Sequence, residues 1–277
     1  MEFITLNNGV KMPAEGIGTF LLTPDKAETA VLSALKNGAR LIDTANAYCN
    51  EKAVGRAMKK SGLLREEIFL ETKLWPTFYT DADAVDKTLA RLDTDYIDLL
   101  LIHQPFNDYY GTYRAMEEAY RAGKLRAIGV SNFYPDRFID LAEFCGIKPM
   151  VNQVETHVFN QQRQPQEIMK EYGAQIMSWG PFAEGRNDFF TNPVLKAIGE
   201  KYGKSVAQTA LRFLIQRGVV VIPKSTHKER MVQNFDVFDF SLSAEDMDAI
   251  GRLDKGESLF FSHYAPDTVK WLTRLGK

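Results

Sequence analysis

Eight short apolar runs alternate with helix-like segments along almost the entire chain, and few folds accommodate this rhythm. The runs are AEGIG, LID, IFLETK, IDLLLIH, LRAIGVSN, PMVNQVE, AQIMSWG and GVVVIPKS. Most carry their polar residues near the end, as expected of parallel strands that are covered on both faces. The pattern therefore predicts an α/β protein with a parallel sheet.

Helices are predicted between these runs. The first begins at Thr23-Pro24, a suitable N-cap and first helical residue, and ends at Asn37-Gly38. The others are predicted at residues 51–60, 82–92, 113–122, 137–144, 164–172, 194–201 and 206–216. Ahead of the first run, FITLNNGVKMP predicts a β-hairpin that turns at Asn8-Gly9 and forms either a lid or a plug.

A chain of 277 residues has the length of one large α/β domain or of two smaller ones. No linker or change of composition divides it, so we expect one domain over residues 1–277. Eight strand–helix units fit a (β/α)₈ TIM barrel better than a doubly wound sheet, whose Gly-rich dinucleotide fingerprint is absent from the first strand. The predicted architecture is such a barrel with an N-terminal β-hairpin and a C-terminal tail near the active-site mouth.

Polar side chains cluster where the predicted strands end. In a (β/α)₈ barrel the active site lies at the carboxyl ends of the strands. The residues at these ends are Asp43, Lys73, His103, Ser131, Asn132, Gln153, Trp179 and Lys224. Tyr48 follows Asp43 in the loop before the next helix, so an acid and a phenol share one connection.

Composition excludes several classes of partner. The net charge is −2 with 25% charged residues, which does not suit a protein that binds nucleic acid or an anionic membrane surface. The N-terminus lacks the features of a signal peptide, no apolar stretch is long enough to span a bilayer, and we expect a cytoplasmic protein. Cys49 and Cys145 cannot form a disulfide framework, and no Cys/His spacing predicts a metal site. A small-molecule substrate is the expected partner.

At the predicted strand ends and the loops that follow them, the sequence resembles the aldo-keto reductase family, and the likeness covers almost the whole chain. The shared motifs, in order, are LIDTANAY-CNE, LETKLW, DLLLIHQP, IGVSNF, VNQVE and IPKSTHKERMVQNFDVFDF. Within the family, the chain is similar to compact microbial enzymes such as the 2,5-diketogluconate and methylglyoxal reductases. The resemblance implies hydride transfer between a nicotinamide cofactor and a carbonyl carbon.

The resemblance assigns a catalytic tetrad to Asp43, Tyr48, Lys73 and His103. Tyr48 would be the general acid, and the Lys73 ammonium would lower the pKa of this phenol by stabilising its anion. Asp43 would hold Lys73 in place, while His103 would orient and polarise the carbonyl. Taken singly, an Asp–Lys pair or a histidine after an apolar run is usually structural, and the assignment depends on all four occurring together.

The resemblance also implies NADPH/NADP+ as the cofactor. Ser131, Asn132 and Gln153 would bind the nicotinamide carboxamide, and Trp179 stands where the family usually has a stacking tyrosine. Gly180, Pro181 and Phe182 would line the pyrophosphate path. The adenosine end with its 2′-phosphate would be bound by Lys224, Ser225, Thr226, Arg230, Gln233 and Asn234.

Substrate contacts are expected from the strand-to-helix loops. The candidates are Phe20, Trp75, His103, Phe106 and Asn107, although aromatic residues there can equally be packing at the barrel rim. Gln104 departs from the aromatic residue or histidine that the family often has. A modest, open pocket favours small aldehydes and dicarbonyls over steroids.

Two alternatives to a general carbonyl reductase stay open on the sequence. One is a narrow sugar-acid reductase of the diketogluconate type. The other is a non-enzymatic, NADPH-binding redox-sensing subunit, against which the intact tetrad argues. We expect a monomer.

Overall fold

The chain opens with the predicted β-hairpin. The computed structural model describes residues 1–275, in which β1 (Phe3–Thr5) pairs antiparallel with β2 (Lys11–Pro13). Gly9 lies in the turn with a φ of 88°, a value that glycine adopts without strain. Thr5 faces Lys11 across the hairpin.

Eight parallel strands form the predicted barrel, which is confirmed. They are β3 (Gly16–Gly18), β4 (Leu41–Asp43), β5 (Phe69–Leu74), β6 (Leu99–Ile102), β7 (Ile128–Ser131), β8 (Val151–Glu155), β9 (Gln175–Trp179) and β10 (Val220–Val221). Their spatial order follows their order in the chain. The ring closes where Val221 N donates to Ala14 O at 3.0 Å and Gly18 N donates to Pro223 O at 3.3 Å.

Helices cover the outside of the barrel. They are α1 (Pro24–Lys36), α2 (Glu51–Ser61), α3 (Ala84–Leu92), α4 (Tyr109–Arg121), α5 (Pro135–Phe144), α6 (Arg163–Glu171), α7 (Pro193–Tyr202), α8 (Val206–Gln216) and α9 (Lys228–Phe235). Their inner faces bury aliphatic side chains, such as Val31 and Leu35 of α1, against the strands. None of the helices within residues 1–275 is long and apolar enough to cross a membrane.

Most helix boundaries agree with the prediction to within two residues, but α4 begins four residues earlier than its predicted start at Tyr113. The cause is a cap that the apolar spacing does not reveal. The side chain of Asp108 accepts a hydrogen bond from Gly111 N at 2.8 Å. An N-cap of this kind stabilises the first turn of a helix even where that turn carries few core residues.

The hairpin is a plug at the amino end of the barrel and does not form a lid. Asn8 Nδ2 donates to Arg126 O at 2.9 Å, and Asn7 Nδ2 donates to Pro149 O at 3.5 Å. Arg126 and Pro149 precede β7 and β8, so the hairpin touches the ends of the strands that are opposite the predicted active site. Met12 on the hairpin is fully buried in the core.

Two helices that the apolar pattern did not predict follow the barrel. They are α10 (Ala244–Gly251) and α11 (Pro266–Arg274). Residues 254–275, referred to below as the C-terminal tail, contain α11 and lie at the mouth of the barrel, as expected. The last two residues of the predicted tail, Gly276 and Lys277, lie outside the described part of the chain.

Candidate active site

Four side chains that were predicted to be catalytic converge at the carboxyl end of the barrel. Asp43 is the last residue of β4, Lys73 lies near the end of β5, and His103 follows β6 directly. Tyr48 ends a short 3₁₀ turn between β4 and α2. Because β4, β5 and β6 are neighbours in the sheet, these side chains meet around one cleft.

Lys73 is buried in the barrel interior together with Asp43. Their side chains are 0% and 2% exposed. Lys73 Nζ donates to Asp43 Oδ2 and, at 3.0 Å, to Thr44 O. Burial alone lowers the pKa of Lys73, but the neighbouring acidic groups, chiefly Asp43, outweigh burial and raise that pKa. The ammonium therefore stays charged at neutral pH.

The ring of Tyr48 packs close to this ammonium. Lys73 Nζ lies 5.4 Å from the centroid of the Tyr48 ring, and the ring of His103 meets the same phenol edge-on at 5.7 Å between centroids. Burial raises the pKa of Tyr48, while the charge of Lys73 acts in the opposite direction. The phenol therefore carries its proton at neutral pH, which is the form that a proton donor requires.

His103 is neutral in this setting. Burial, together with the charge of Lys73, holds the pKa of His103 well below its ordinary value. Its Nδ1 is buried and has no hydrogen-bond partner among residues 1–275. The ring also packs edge-on against Trp75 at 4.9 Å between centroids. The other ring nitrogen, Nε2, is therefore the one left to engage a ligand.

A second carboxyl and an amide complete the buried polar cluster. Glu71 lies opposite Asp43 in the register of β4 and β5 and two residues before Lys73, so it shares their face of the sheet. Gln153 Nε2 donates to Glu71 Oε1 at 2.7 Å and to Asp43 Oδ2 at 3.1 Å. Burial and the charge of Asp43 raise the pKa of Glu71 well above its ordinary value. The environment therefore favours the protonated form of this carboxyl more than water does.

The residues predicted to bind the carboxamide lie together beside this cluster. Ser131 Oγ donates to Gln153 O at 2.9 Å. Asn132 Nδ2 donates to His103 O at 3.0 Å, and Asn132 Oδ1 accepts from Trp179 Nε1 at 2.9 Å. Both ends of the Asn132 amide are thus bonded, whereas no residue in 1–275 donates to Gln153 Oε1. Gln153 Oε1 is the acceptor left free in this group.

The segment predicted to line the pyrophosphate path, Gly180 to Phe182, follows β9. Gly180 has a φ of 64°, and a side chain there would approach the ring of Phe260 at 3.8 Å. Pro181 is buried. The ring of Phe182 turns toward Phe189, with 5.7 Å between centroids. The side chain of Phe182 is therefore engaged in an aromatic cluster.

Six residues predicted to bind the adenosine end lie where β10 leads into α9. They are Lys224, Ser225, Thr226, Arg230, Gln233 and Asn234. All except Ser225 and Asn234 are exposed. Neither Lys224 nor Arg230 takes part in an ion pair within residues 1–275. Their positive charges are therefore available to an anionic ligand.

The substrate candidates divide into two groups. Phe20 and Trp75 lie against the tetrad, since the ring of Phe20 is 5.1 Å from that of Tyr48 and Trp75 packs on His103. Asn107, by contrast, donates its side-chain amide to Pro76 O at 2.8 Å. This bond gives Asn107 a role in holding the loop.

Phe106 contacts the C-terminal tail. Its ring stacks on that of His263 with 5.8 Å between centroids and an interplanar angle of 25°. Gln104, two residues earlier, bonds the same histidine through Oε1 at 2.6 Å. The loop after β6 and the tail therefore form one wall of the cleft.

Comparison with known proteins explains this arrangement. Residues 16–255 match the model of the Aldo/keto reductase family. The chain belongs to this family. It is 46% identical over 261 residues to the glyoxal reductase of Bacillus subtilis, covering 92% of this chain and 94% of that protein. It is 38% identical over 260 residues to the methylglyoxal reductase DkgA of Escherichia coli, again covering 92% and 94%. The resemblance is confirmed, and the chain is an oxidoreductase.

Solved structures agree with this assignment. An aldo-keto reductase from a Medee basin deep-sea metagenome library superposes with a TM-score of 0.91 at 44% identity, covering 95% of this chain and 98% of that one. An aldo-keto reductase of Bombyx mori in complex with NADP superposes with a TM-score of 0.86 at 35% identity, covering 92% and 94%. The NADP-bound neighbour supports a nicotinamide cofactor for the enzyme.

Glu155 attaches the tail of this reductase to the end of β8. Its carboxylate accepts hydrogen bonds from Ser258 Oγ at 2.5 Å, from Leu259 N at 2.9 Å and from His157 Nε2 at 2.9 Å. Burial alone raises the pKa of Glu155, but these three donors outweigh burial and lower that pKa below its ordinary value. The attachment is therefore charge-assisted, which makes its hydrogen bonds stronger than neutral ones.

Aromatic residues continue the tail across the cleft. Phe261 stacks on Trp179 with 6.1 Å between centroids, and Phe260 meets the same indole edge-on at 5.2 Å. Further along, Trp75 Nε1 donates to Leu275 O at 2.9 Å. The tail thus touches both the indole predicted to stack on nicotinamide and the indole next to His103.

We expect acidification to loosen this tail through His263. The side chain is 8% exposed, and burial lowers its pKa to about 4. In a detached tail this histidine recovers its ordinary pKa of about 6.5, so the detached form binds a proton more readily. Closure is therefore strongest above pH 6.5 and weakens as the pH falls toward 4, by about 2 kcal/mol at pH 5.

Hydrogen–deuterium exchange of the tail amides, corrected for the intrinsic effect of pH, measures this loosening. The matched control is His263→Gln, which cannot take up a proton. Tail exchange in this variant is expected to be the same at pH 7 and pH 5. Equal pH dependence in the variant and the parent enzyme would contradict the role of His263.

Sequence reasoning assigned no individual role to three residues of this site: Glu71, Glu155 and His263. The first two had a usable signal, because residues two apart in a strand face the same side. Glu71 precedes Lys73 by two residues, and Glu155 follows Gln153 by two. His263 had no such signal, since its partner Gln104 is 159 residues away in the chain.

Proposed function

We propose that this enzyme uses NADPH to reduce small aldehydes and dicarbonyl compounds to alcohols. The observation that carries the proposal is the convergence of a charged Lys73, a protonated Tyr48 and a neutral His103 in one cleft. The curated relatives named glyoxal reductase and methylglyoxal reductase support the same substrate class.

The residues of the cleft fit a nicotinamide dinucleotide with a 2′-phosphate. Lys224 and Arg230 present positive charge without an acidic partner in the described chain, as a phosphate dianion requires. Gln153 Oε1 offers an acceptor beside the tetrad, and Trp179 offers a ring for stacking. NADPH, when bound, supplies the hydride to the carbonyl carbon.

Tyr48 and Lys73 together deliver a proton to the carbonyl oxygen. Negative charge develops on the carbonyl oxygen during reduction, and the Tyr48 hydroxyl donates its proton there. The remaining phenolate is stabilised by the Lys73 ammonium, which lies 5.4 Å from the ring centroid. Asp43 keeps that ammonium in position through the buried ion pair.

His103 orients the substrate. As a neutral imidazole whose Nε2 is the ring nitrogen left for a ligand, it donates a hydrogen bond to the carbonyl oxygen in the tautomer that carries the proton on Nε2. A neutral donor polarises the carbonyl without competing with Tyr48 for the role of acid. His103 and Tyr48 therefore act on the same oxygen atom in different ways.

The cleft wall favours small, uncharged substrates. The candidate contacts Phe20, Trp75 and Phe106 are aromatic, and Asn107 is neutral. None of these residues supplies a cation that would bind the carboxylate of a sugar acid. The tail further narrows the mouth. Methylglyoxal and glyoxal suit such a pocket better than a diketo sugar acid.

Cofactor oxidation, followed at the nicotinamide absorbance band, tests the proposal. NADPH and NADH are supplied in parallel with methylglyoxal, an aromatic aldehyde and a diketo sugar acid. The expected result is turnover of methylglyoxal with NADPH well above that with NADH. Turnover restricted to the sugar acid would overturn the substrate class, and equal use of NADH would overturn the cofactor preference.

Substitution of Arg230 is expected to remove most of the preference for NADPH. A charge-assisted hydrogen bond contributes about 1.5–3 kcal/mol, so Arg230→Ala should weaken NADPH binding by about 10- to 100-fold. NADH lacks the 2′-phosphate, and its affinity should stay the same. Titration of the intrinsic tryptophan fluorescence measures both dissociation constants.

Arg252→Ala is the matched control for Arg230→Ala. Arg252 is also exposed, but it caps the end of α10 and is not part of the predicted phosphate pocket. This variant changes the net charge by the same amount and should bind both cofactors normally. An equal loss of NADPH affinity in both variants would indicate a general charge effect and contradict the pocket.

A further inference from the structure

Glu71 is a buried carboxyl that the proposed mechanism does not use. It is 0% exposed and lies on the inner face of β5, between Asp43 of the neighbouring strand and Lys73 of its own. Its Oε1 lies 3.5 Å from Lys73 Nζ, and its Oε2 has no partner in residues 1–275. A carboxyl without a full set of partners is costly to bury, so its presence in the barrel calls for a reason.

The contact with Gln153 supplies that reason. The side-chain nitrogen of Gln153 has two hydrogens, and it donates to Glu71 Oε1 at 2.7 Å and to Asp43 Oδ2 at 3.1 Å. With both hydrogens directed at acids inside the barrel, the amide has one orientation. Its oxygen, Oε1, must then point away from those acids, and no described residue donates to it.

We propose that Glu71 is a positioning residue that fixes the Gln153 amide so that Oε1 accepts a hydrogen bond from the carboxamide N–H₂ of the nicotinamide. This inference rests on the proposed function. Without Glu71, one hydrogen of Gln153 would have only Met177 Sδ at 3.4 Å, a weak thioether acceptor, and the amide could then rotate to present its nitrogen. Glu71 thereby selects a ligand group that donates hydrogen bonds over one that only accepts them.

The raised pKa of Glu71 suits this role. The cluster holds two carboxyl groups and one ammonium, so a second ionised acid would leave unbalanced charge in the barrel. Burial and Asp43 raise the pKa of Glu71. The protonated form that this shift favours still accepts from Gln153 through Oε1 and competes less with Asp43 for Lys73 than a carboxylate would.

Binding measurements on Glu71→Leu and Glu71→Gln test the proposal. Leucine has a similar size but no acceptor, whereas glutamine keeps a carbonyl oxygen at the same position. Tryptophan fluorescence is titrated with NADP+, with its 3-acetylpyridine analogue, which has no N–H₂ donor, and with 2′-phospho-ADP-ribose, which has no nicotinamide. Thermal unfolding confirms that each variant is folded.

The parent enzyme is expected to bind NADP+ more tightly than the acetylpyridine analogue. In Glu71→Leu, NADP+ affinity should fall about 5- to 10-fold, to the level of the analogue, because one neutral hydrogen bond is lost. Glu71→Gln should bind NADP+ like the parent. Binding of 2′-phospho-ADP-ribose should be the same in all three proteins.

Two results would overturn the positioning role. One is unchanged discrimination between NADP+ and its analogue in Glu71→Leu. The other is an equal loss of 2′-phospho-ADP-ribose binding, which would show a general effect on the cleft. A parent enzyme that binds no NADP+ at all would instead overturn the proposed function, so the two failures are distinguishable.

Discussion

Tyr48→Phe is expected to lower kcat/KM for methylglyoxal by about 10³-fold, because general acid catalysis contributes about 10²- to 10⁴-fold. Phenylalanine removes only the hydroxyl. The ring of residue 48 lies 5.1 Å from that of Phe20 and 5.7 Å from that of His103, and these contacts involve ring atoms that tyrosine and phenylalanine have in common. The loss should therefore be chemical and not structural.

The measurement compares steady-state kinetics with NADPH binding and thermal unfolding. kcat should carry most of the loss, since the hydroxyl acts on charge that develops only in the transition state. NADPH affinity and Tm should stay near those of the parent. A large change in NADPH affinity with an unchanged kcat would contradict the assignment of Tyr48 as the acid.

Tyr113→Phe is the matched control for this substitution. Tyr113 is a phenol that is 1% exposed, but it lies on α4 and donates to Ile147 O at 3.0 Å, outside the cleft. Its loss should cost about 1 kcal/mol of stability, the usual contribution of one hydrogen bond, and leave kcat unchanged. The pair thus separates loss of a buried hydroxyl from loss of the proton donor.

The barrel and the convergence of polar strand-end residues could be predicted because their signals are local. A parallel strand covered on both faces needs an apolar run, and the polar residue that ends the run falls at the carboxyl end of the barrel. Asp43 and His103 stand at or just after the ends of their strands for this reason. Neighbouring strands then bring them together whatever the details of the helices.

The place of the tail at the mouth was expected, but its individual contacts could not be predicted because they span large separations in sequence. Ser258 reaches Glu155 across 103 residues, and His263 reaches Gln104 across 159. Neither pair has a spacing that a periodic pattern reveals. The early start of α4 has a different, local cause. The Asp108 cap begins the helix before the first residues of the apolar pattern.

Removal of the Lys73 ammonium is expected to destabilise the whole barrel and to slow the reaction. Lys73→Met leaves Asp43 buried without its cation. Breaking a buried ion pair from one side costs about 3–5 kcal/mol, and Gln153, the remaining donor to Asp43 Oδ2, offsets only part of it. We expect a loss of about 3 kcal/mol in the free energy of unfolding.

Urea denaturation measures this loss, and two further variants test whether unpaired buried charge is its cause. Lys59→Met removes an ion pair with Asp93 whose side chains are 58% and 72% exposed, and it should change stability little. The double variant Asp43→Asn/Lys73→Met removes both buried charges and should regain most of the stability. A double variant as unstable as Lys73→Met would contradict unpaired charge as the cause.

The catalytic consequence of Lys73→Met follows from the same charge. Without the ammonium, burial and the charge of Asp43 act on Tyr48 unopposed and raise the pKa of this phenol further, so the phenolate left after proton donation loses its stabilisation. The double variant should therefore recover stability but not turnover. This divergence between unfolding free energy and kcat identifies Lys73 as a group that serves the barrel through Asp43 and the reaction through Tyr48.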